Sequence, residues 1–321
     1  MRGRNRKPAG YVHQAVGAFP QMMSFVIAVG QCYHIRLMNT CVYDSRQERR
    51  LWRLVPDLIK ARQMLIDLVW KDLRVRYRYA MMGFLWALIE PLAFTLILTF
   101  VFSFVFAARG EMVQPATGPP FAVMLLCGLI FWQFFSVSIA TATVSMVANK
   151  NLVKKVHFAR ETVPISSCCL PIVQLCIGVI LLLAVHLLFG GRVGVALIYI
   201  PFVFGIQFLL TLGLALFLAC VHVHFRDVGN LISVILTFAF YASPVFYPLE
   251  MVRNADIPRW IVVAYMANPM AGLLTAYRQI LFDLRFPELT LLAWPALCAV
   301  LAFITGAVVF RWYAPTMSDY L

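Results

Sequence analysis

Between residues 83 and 106 the chain reads GFLWALIEPLAFTLILTFVFSFVF, with Glu90 as its one charged side chain. A helix needs roughly 20 mainly apolar residues to cross a bilayer, and this run supplies them. Further apolar runs follow, so six spans are expected, over about 83–107, 120–147, 164–189, 194–221, 230–247 and 289–312. The fifth is the shortest, its end depending on Pro244 and Pro248. The runs are continuously apolar, whereas a membrane-spanning strand alternates. Only 13% of residues are charged against 62% hydrophobic, about half the charged share of a soluble domain. The expected fold class is an all-α integral membrane protein.

Basic residues orient it. With six spans both ends share a side, and if that side is the cytoplasm it holds 21 of the 27 Lys and Arg. Cytoplasmic loops carry such an excess near span ends, so both termini are expected inside, in a multi-pass protein of the inner (plasma) membrane. The net charge of +13 is then mainly a topology signal, and no nucleic-acid partner is inferred from it. Just before the first span lies an interfacial collar, Arg74, Arg76, Tyr77, Arg78 and Tyr79. Arg and Tyr both set an apolar stem or ring against lipid and a polar tip among headgroups.

Residues 56–82 form an expected interface helix. Leu58, Ile59, Leu65, Leu68, Val69, Leu73 and Val75 fall largely on one face, with Lys60, Arg62, Asp67, Lys71 and Arg74 interleaved. Pro56 suits a first helical turn, and a basic amphipathic helix beside a span lies in the interface plane. Residues 1–55 read as an N-terminal extension, either a flexible arm or the product of an upstream start codon. Their apolar stretch at 22–29 is too short to span or to form a convincing signal peptide.

Inside the spans, Thr211, Ala215 and Ala219, and Ser138 and Ala142, recur at four-residue intervals. Small residues let helices approach closely in lipid, within one subunit or between two. Glu90 is an intramembrane carboxylate, a default pathway candidate, although at shallow depth it can also pair with the collar. Six of the eight Cys lie in proposed spans without zinc spacing, and His222 and His224 have no third ligand nearby; no metal is expected. The chain has no GxxxxGK[ST] loop, no HExxH and no GxSxG. It is expected to be no enzyme: a pathway protein with no energy source of its own needs a partner.

Four separated segments carry a family resemblance. They are DLRVRYR…GFLWALIEPL (72–92), ANKNLVKKVHFARETVPIS (148–166), GLALFLACVHVHFRDVGNLISVILTFAFYASPVFYPLEMV (213–252), and NPMAGLLTAYRQILF (268–282) with the tail FRWYAPTMSDYL (310–321). In this order they resemble the ABC-2 type permeases that export polysaccharides. HFRDV and SPVFYP are their most specific parts. The resemblance implies residues 56–321 as the permease domain, a homodimer, and a separate ATP-binding cassette ATPase that carries ATP and Mg. No cofactor is expected in this chain itself. The cargo it implies is a lipid-linked polysaccharide (polyprenyl-linked O-antigen, capsule or a teichoic-acid-like polymer). A drug or small-lipid exporter and a polytopic glycosyltransferase are the alternatives.

It also implies roles for particular positions. The loop after the second span would couple to the ATPase, with Lys154, Lys155, Arg160 and Glu161 as polar contacts and Val156 and Phe158 as apolar anchors. Arg226 and Asp227 would brace the second cytoplasmic turn. Their residue types alone suggest a salt bridge and a helix cap, Asp227 preceding a helix that begins near Asn230. Residues 248–288 would hold short extracytoplasmic gate helices, with Tyr241, Phe246, Tyr247, Trp260 and Tyr265 as gate lining; an interfacial aromatic belt is the plainer reading of some of these rings. Sugar rings present C–H faces to flat apolar surfaces, so Trp86, Phe94, Phe102, Trp132 and Phe135, with Glu90, are taken as path lining.

Overall fold

The structure is a computed structural model that describes residues 56, 59–77, 86–101, 120–155, 158–249, 251 and 258–320. Among these residues it is all helix, with no strand. The expected roles of residues 1–55, Arg78, Phe102 and Val156 lie outside the described residues, as do the side chains of Arg76 and Trp86.

Eleven α-helices are described: α1 (Arg62–Tyr77), α2 (Trp86–Phe100), α3 (Phe121–Ala148), α4 (Lys150–Lys155), α5 (Thr162–Leu188), α6 (Ile200–His224), α7 (Val228–Tyr241), α8 (Arg259–Met266), α9 (Pro269–Leu281), α10 (Leu289–Tyr313) and α11 (Met317–Tyr320). A 3-10 turn, Val195–Tyr199, leads into α6. Gly190, at φ 79°, ends the chain's run out of α5, a left-handed backbone that glycine adopts without a Cβ clash. There the Gly191 N–H donates back to the His186 carbonyl at 2.9 Å.

Four helical segments are long and apolar enough to cross a membrane: Phe121–Ala148, Thr162–Leu188, Val195–His224 and Leu289–Tyr313. They match four of the six expected spans within a few residues. The α8–α9 pair, bent by 75°, reaches that length only when taken together. α7 differs from expectation: it stops at Tyr241 instead of continuing to 247. Its 14 residues cover about 21 Å at ~1.5 Å per residue, short of the ~30 Å hydrocarbon core.

α3 is the central helix. In its apolar window 78% of residues are buried, against 28–44% in the other three, because α2, α5, α6, α7 and α9 all pack on it. The closest crossing is between α6 and α10, where a Cβ added to Gly306 would stand 2.1 Å from the Gly213 carbonyl oxygen. The backbones themselves touch there. The small-residue stripes pack within the chain: Thr211, Ala215, Ala219, Ser138 and Ala142 are all buried, and Ala215 meets Ala142 and Cys168.

At one end of the bundle a second apolar cluster gathers Leu68, Met146, Val153, Phe158, Val163, Val223, Phe310, Ala314 and Met317. This end also carries Lys71, Lys150, Lys154, Lys155, Arg160, Arg226 and Arg311. α1 belongs to it through Leu68, packs on α5, and donates from Lys71 Nζ to Asn149 Oδ1 at 2.7 Å. Of its expected apolar face, Leu65, Val69 and Leu73 are half-buried beside Leu68. Leu68 turns inward, while Ile59, Ile66, Trp70 and Val75 stay exposed.

Candidate functional site

Three places gather the residues singled out by sequence. The first is the basic end. α4 buries Val153 and leaves Lys150, Asn151, Lys154 and Lys155 exposed. Two expected docking contacts turn inward instead. Phe158 is buried in the apolar cluster, and Glu161 is 4% exposed. The Glu161 carboxylate accepts from Arg311 Nε at 2.9 Å, with Arg311 equally enclosed. Burying a carboxylate requires a paired, hydrogen-bonded partner, and α10 supplies it from 150 residues away. Arg160, half-buried, donates to the Ala314 carbonyl. The last turn of α10 is thereby tied twice to the loop between α4 and α5.

Arg226 and Asp227 are both exposed. Asp227 occupies the residue before α7 but makes no side-chain cap bond, and its own backbone is already helical. A cap needs an extended residue whose oxygen can reach forward, so the expected cap is not formed. His224 lies against Tyr313 and Tyr320, at ring separations of 5.3 and 4.7 Å, while His222 packs beside Gly229. Of the collar, Arg74 is exposed on α1.

The second place is a cleft of about 490 Å3 between α2, α3 and α7. It brings together Glu90, Phe94, Trp132 and Tyr241 from the expected lining, and adds Gln133, Ser136, Thr237 and Phe240. Phe240 joins the walls: it meets Phe94 at 6.2 Å and Trp132 at 5.8 Å. One carboxylate, one amide and two hydroxyls thus face a surface of rings. Phe135 packs against Trp132 at 5.5 Å but does not line the cleft. Sequence reasoning missed Gln133, Ser136 and Thr237. The helical spacing of three from Gln133 to Ser136, next to Trp132, was the available signal.

The third place is the turn after α7. Here the backbone is not helical, and its carbonyls need donors. Arg278 of α9, 8% exposed, gives one guanidinium nitrogen to Tyr247 O and the other to Val245 O, each at 2.8 Å. Asn268 donates to Ser243 Oγ at 2.8 Å and to Ala242 O at 3.2 Å. Its own oxygen caps α9 at Met270 N. Gly128 makes room, since a Cβ there would stand 2.8 Å from Val245 O. So SPVFYP and NPMAGLLTAYR, read as separate segments, hold one another. Phe246 is buried and stacks on exposed Tyr241 at 5.8 Å, and Tyr247 meets Tyr265 at 6.2 Å. Trp260 is 71% exposed on α8 and joins none of these ring pairs. Neither Arg278 nor Asn268 was singled out by sequence. Next to Arg278, Tyr277 stacks on Phe131 and donates to Gln207 Oε1 at 2.7 Å. Gln207 in turn donates to the Phe131 carbonyl at 2.8 Å, joining α9, α6 and α3 inside the bundle.

The sequence model of the ABC-2 type transporter family matches residues 64–282. The chain belongs to that family. Among its relatives, the O-antigen export system permease protein RfbA of Myxococcus xanthus is 30% identical over 257 residues, 80% of this chain and 95% of that protein. An RfbA protein of Klebsiella pneumoniae, carrying the same description, is 26% identical over 68% of this chain and 80% of its own length. The polysialic acid transport protein KpsM of Escherichia coli is 24% identical over 75% of this chain and 90% of its own. Family and apolar helices together make the chain a multi-pass membrane protein.

Proposed function

We propose that this chain is the membrane subunit of an ATP-driven exporter, moving a lipid-linked cell-surface polysaccharide from the cytoplasm outward. The observation that carries the reading is the 30% identity to an O-antigen export permease across 95% of that protein's length. The cleft supports it chemically. Trp132, Phe94, Phe240 and Tyr241 offer flat faces, and Glu90, Gln133, Ser136 and Thr237 offer polar groups at the rim of those faces. A long, varied glycan is tolerated by stacking surfaces better than by tight polar pockets, since every sugar ring has an apolar face.

In this reading α2 and α7 complete six crossings, both termini face the cytoplasm, and the bundle sits in the inner membrane. Two copies associate, and the outward apolar faces of α2 and α7 (Leu96, Ile97 and Phe100; Val234, Ile235 and Phe238) leave room for a second copy or lipid. A separate ATPase binds ATP with Mg and docks on the exposed Lys150, Asn151, Lys154 and Lys155. ATPase closure displaces that loop, and the turn at 242–248 with α8 and α9 bars or opens the far end of the path. The chain's own residues position, pack and transmit; hydrolysis belongs to the partner.

Deleting the gene and complementing it tests this. Loss of surface polysaccharide with lipid-linked polymer retained inside, and co-purification of a phosphate-loop ATPase with the tagged chain, are the expected results. Unchanged surface glycan and no ATPase overturn the reading.

A further inference from the structure

The Glu161–Arg311 pair has no part in docking, because neither side chain reaches the surface, and it does not touch the cleft. Its placement is what distinguishes it. Glu161 stands immediately before α5, six residues beyond the end of α4, the helix that presents Lys154 and Lys155 outward. Arg311 stands in the last turn of α10. The pair is reinforced from the next residue, as Arg160 donates to Ala314 O; both members are buried, and their chain neighbours Phe158, Phe310, Ala314 and Met317 share the apolar cluster at this end. Five residues up α10 from Arg311, Gly306 lies backbone-to-backbone on Gly213 of α6. Six residues from Gly213, Gln207 receives the Tyr277 hydroxyl. Arg278, the next residue, holds the Val245 and Tyr247 carbonyls.

We infer that Arg311 is a positioning residue: through Glu161 it makes the docking loop and the end of α10 move as one piece, so that displacement of the loop is delivered to the helices around the 242–248 turn. The inference rests on the exporter reading above and adds to it the residue that does the delivering. A packing-only role predicts something different. Buried ion pairs can commonly be replaced by apolar residues of like volume with little loss of stability, so a pair that only fills space is dispensable once refilled. A pair that ties two segments in a fixed direction is not, because apolar contacts are non-directional.

The test uses the full chain with its ATPase, purified in lipid nanodiscs for hydrolysis and expressed in a deletion strain for export. Export is read as phenol-extracted surface polysaccharide. The variants are Glu161→Met with Arg311→Met, the reversed pair Glu161→Arg with Arg311→Glu, and Arg311→Lys alone. The apolar pair is expected to assemble with the ATPase and hydrolyse ATP at the unmodified rate, while exporting roughly tenfold less per ATP, within the usual range for coupling between sites. The reversed pair is expected to restore export in part. Export per ATP equal to the unmodified protein in the apolar pair overturns the inference. If the apolar pair fails to assemble, Arg311→Lys decides: reduced export per ATP at unchanged hydrolysis supports the inference, and unchanged export overturns it. An unmodified chain that retains no ATPase overturns the exporter reading itself, and the inference with it.

Discussion

The basic end and the 242–248 turn each depend on one enclosed arginine, and they use it in opposite ways. Arg311 meets a carboxylate, and the backbone on either side remains helical or closely follows a helix. Arg278 meets two backbone carbonyls in a segment that has left the helix. Irregular backbone within a bundle in lipid is tolerated only where its polar groups are satisfied by protein or a wet cavity. Arg278 therefore does for Val245 and Tyr247 what a helix would have done with its own N–H groups. Arg311 joins two elements that would each be complete without it. The first kind of bond lets a shape exist, and the second fixes two shapes to each other.

Five substitutions at four positions sharpen that contrast, the positions taken in falling order of effect. Glu161→Ala removes one partner of a buried ion pair, and is expected to cost about 3–5 kcal/mol. It is read as a large fall in the melting temperature of the detergent-solubilised chain. Arg278→Ala strips donors from the buried Val245 carbonyl, at about 1–3 kcal/mol, and from the half-buried Tyr247 carbonyl, at about 1 kcal/mol, so a loss of about 2–4 kcal/mol is expected in the same assay. Arg278→Lys should recover only part of this, since an ammonium lacks the fork that reaches both carbonyls. Proteolysis near residue 247 should increase in both, whereas Glu161→Ala should leave that cleavage unchanged. Asn268→Ala removes the α9 cap and the bonds to Ser243 and Ala242, with a cost of about 1–2 kcal/mol expected. Lys71→Ala breaks an exposed bond to Asn149 and should cost less than about 1 kcal/mol. A Lys71 effect as large as that of Arg278 would end the distinction between exposed ties and enclosed ones.

Much of the fold was legible because the bilayer demands long apolar runs, and α3, α5, α6 and α10 obey that demand within a few residues. The end of α7 was legible only in part: Pro244 marked a candidate stop, but its position three residues earlier was not foreseen. Ser243 to Tyr247 is as apolar as what precedes it, and the helix stops where Arg278 and Asn268, far along the chain, take its carbonyls and its Ser243 hydroxyl. The loop between α4 and α5 misled for a similar reason. A glutamate and a phenylalanine among lysines look like a surface made for a partner, yet Arg311 claims the first and the apolar cluster at this end the second. The small-residue stripe on α6 was correctly suspected of close packing, but it faces α3 and α5. The tighter contact, Gly213 on Gly306, lies on the other side, where a single glycine gives no repeat to notice. In the cleft, Glu90, Trp132 and Tyr241 were found by residue type, while Gln133 and Thr237 became visible only once three helices were set side by side.

A seam made of backbone has no rotamers. Helices that meet through side chains can re-mesh a turn further along, but Gly306 against Gly213 leaves no gap for a side chain on either helix, so a tilt of α10 against α6 would turn about that point. At ~1.5 Å per residue Arg311 lies about 8 Å on one side of this fulcrum. Pro295, where α10 bears on Gly272 of α9, lies about 17 Å on the other. Unequal arms give leverage: such a tilt would bring a small push at the basic end to α9 reversed in direction and about doubled in size.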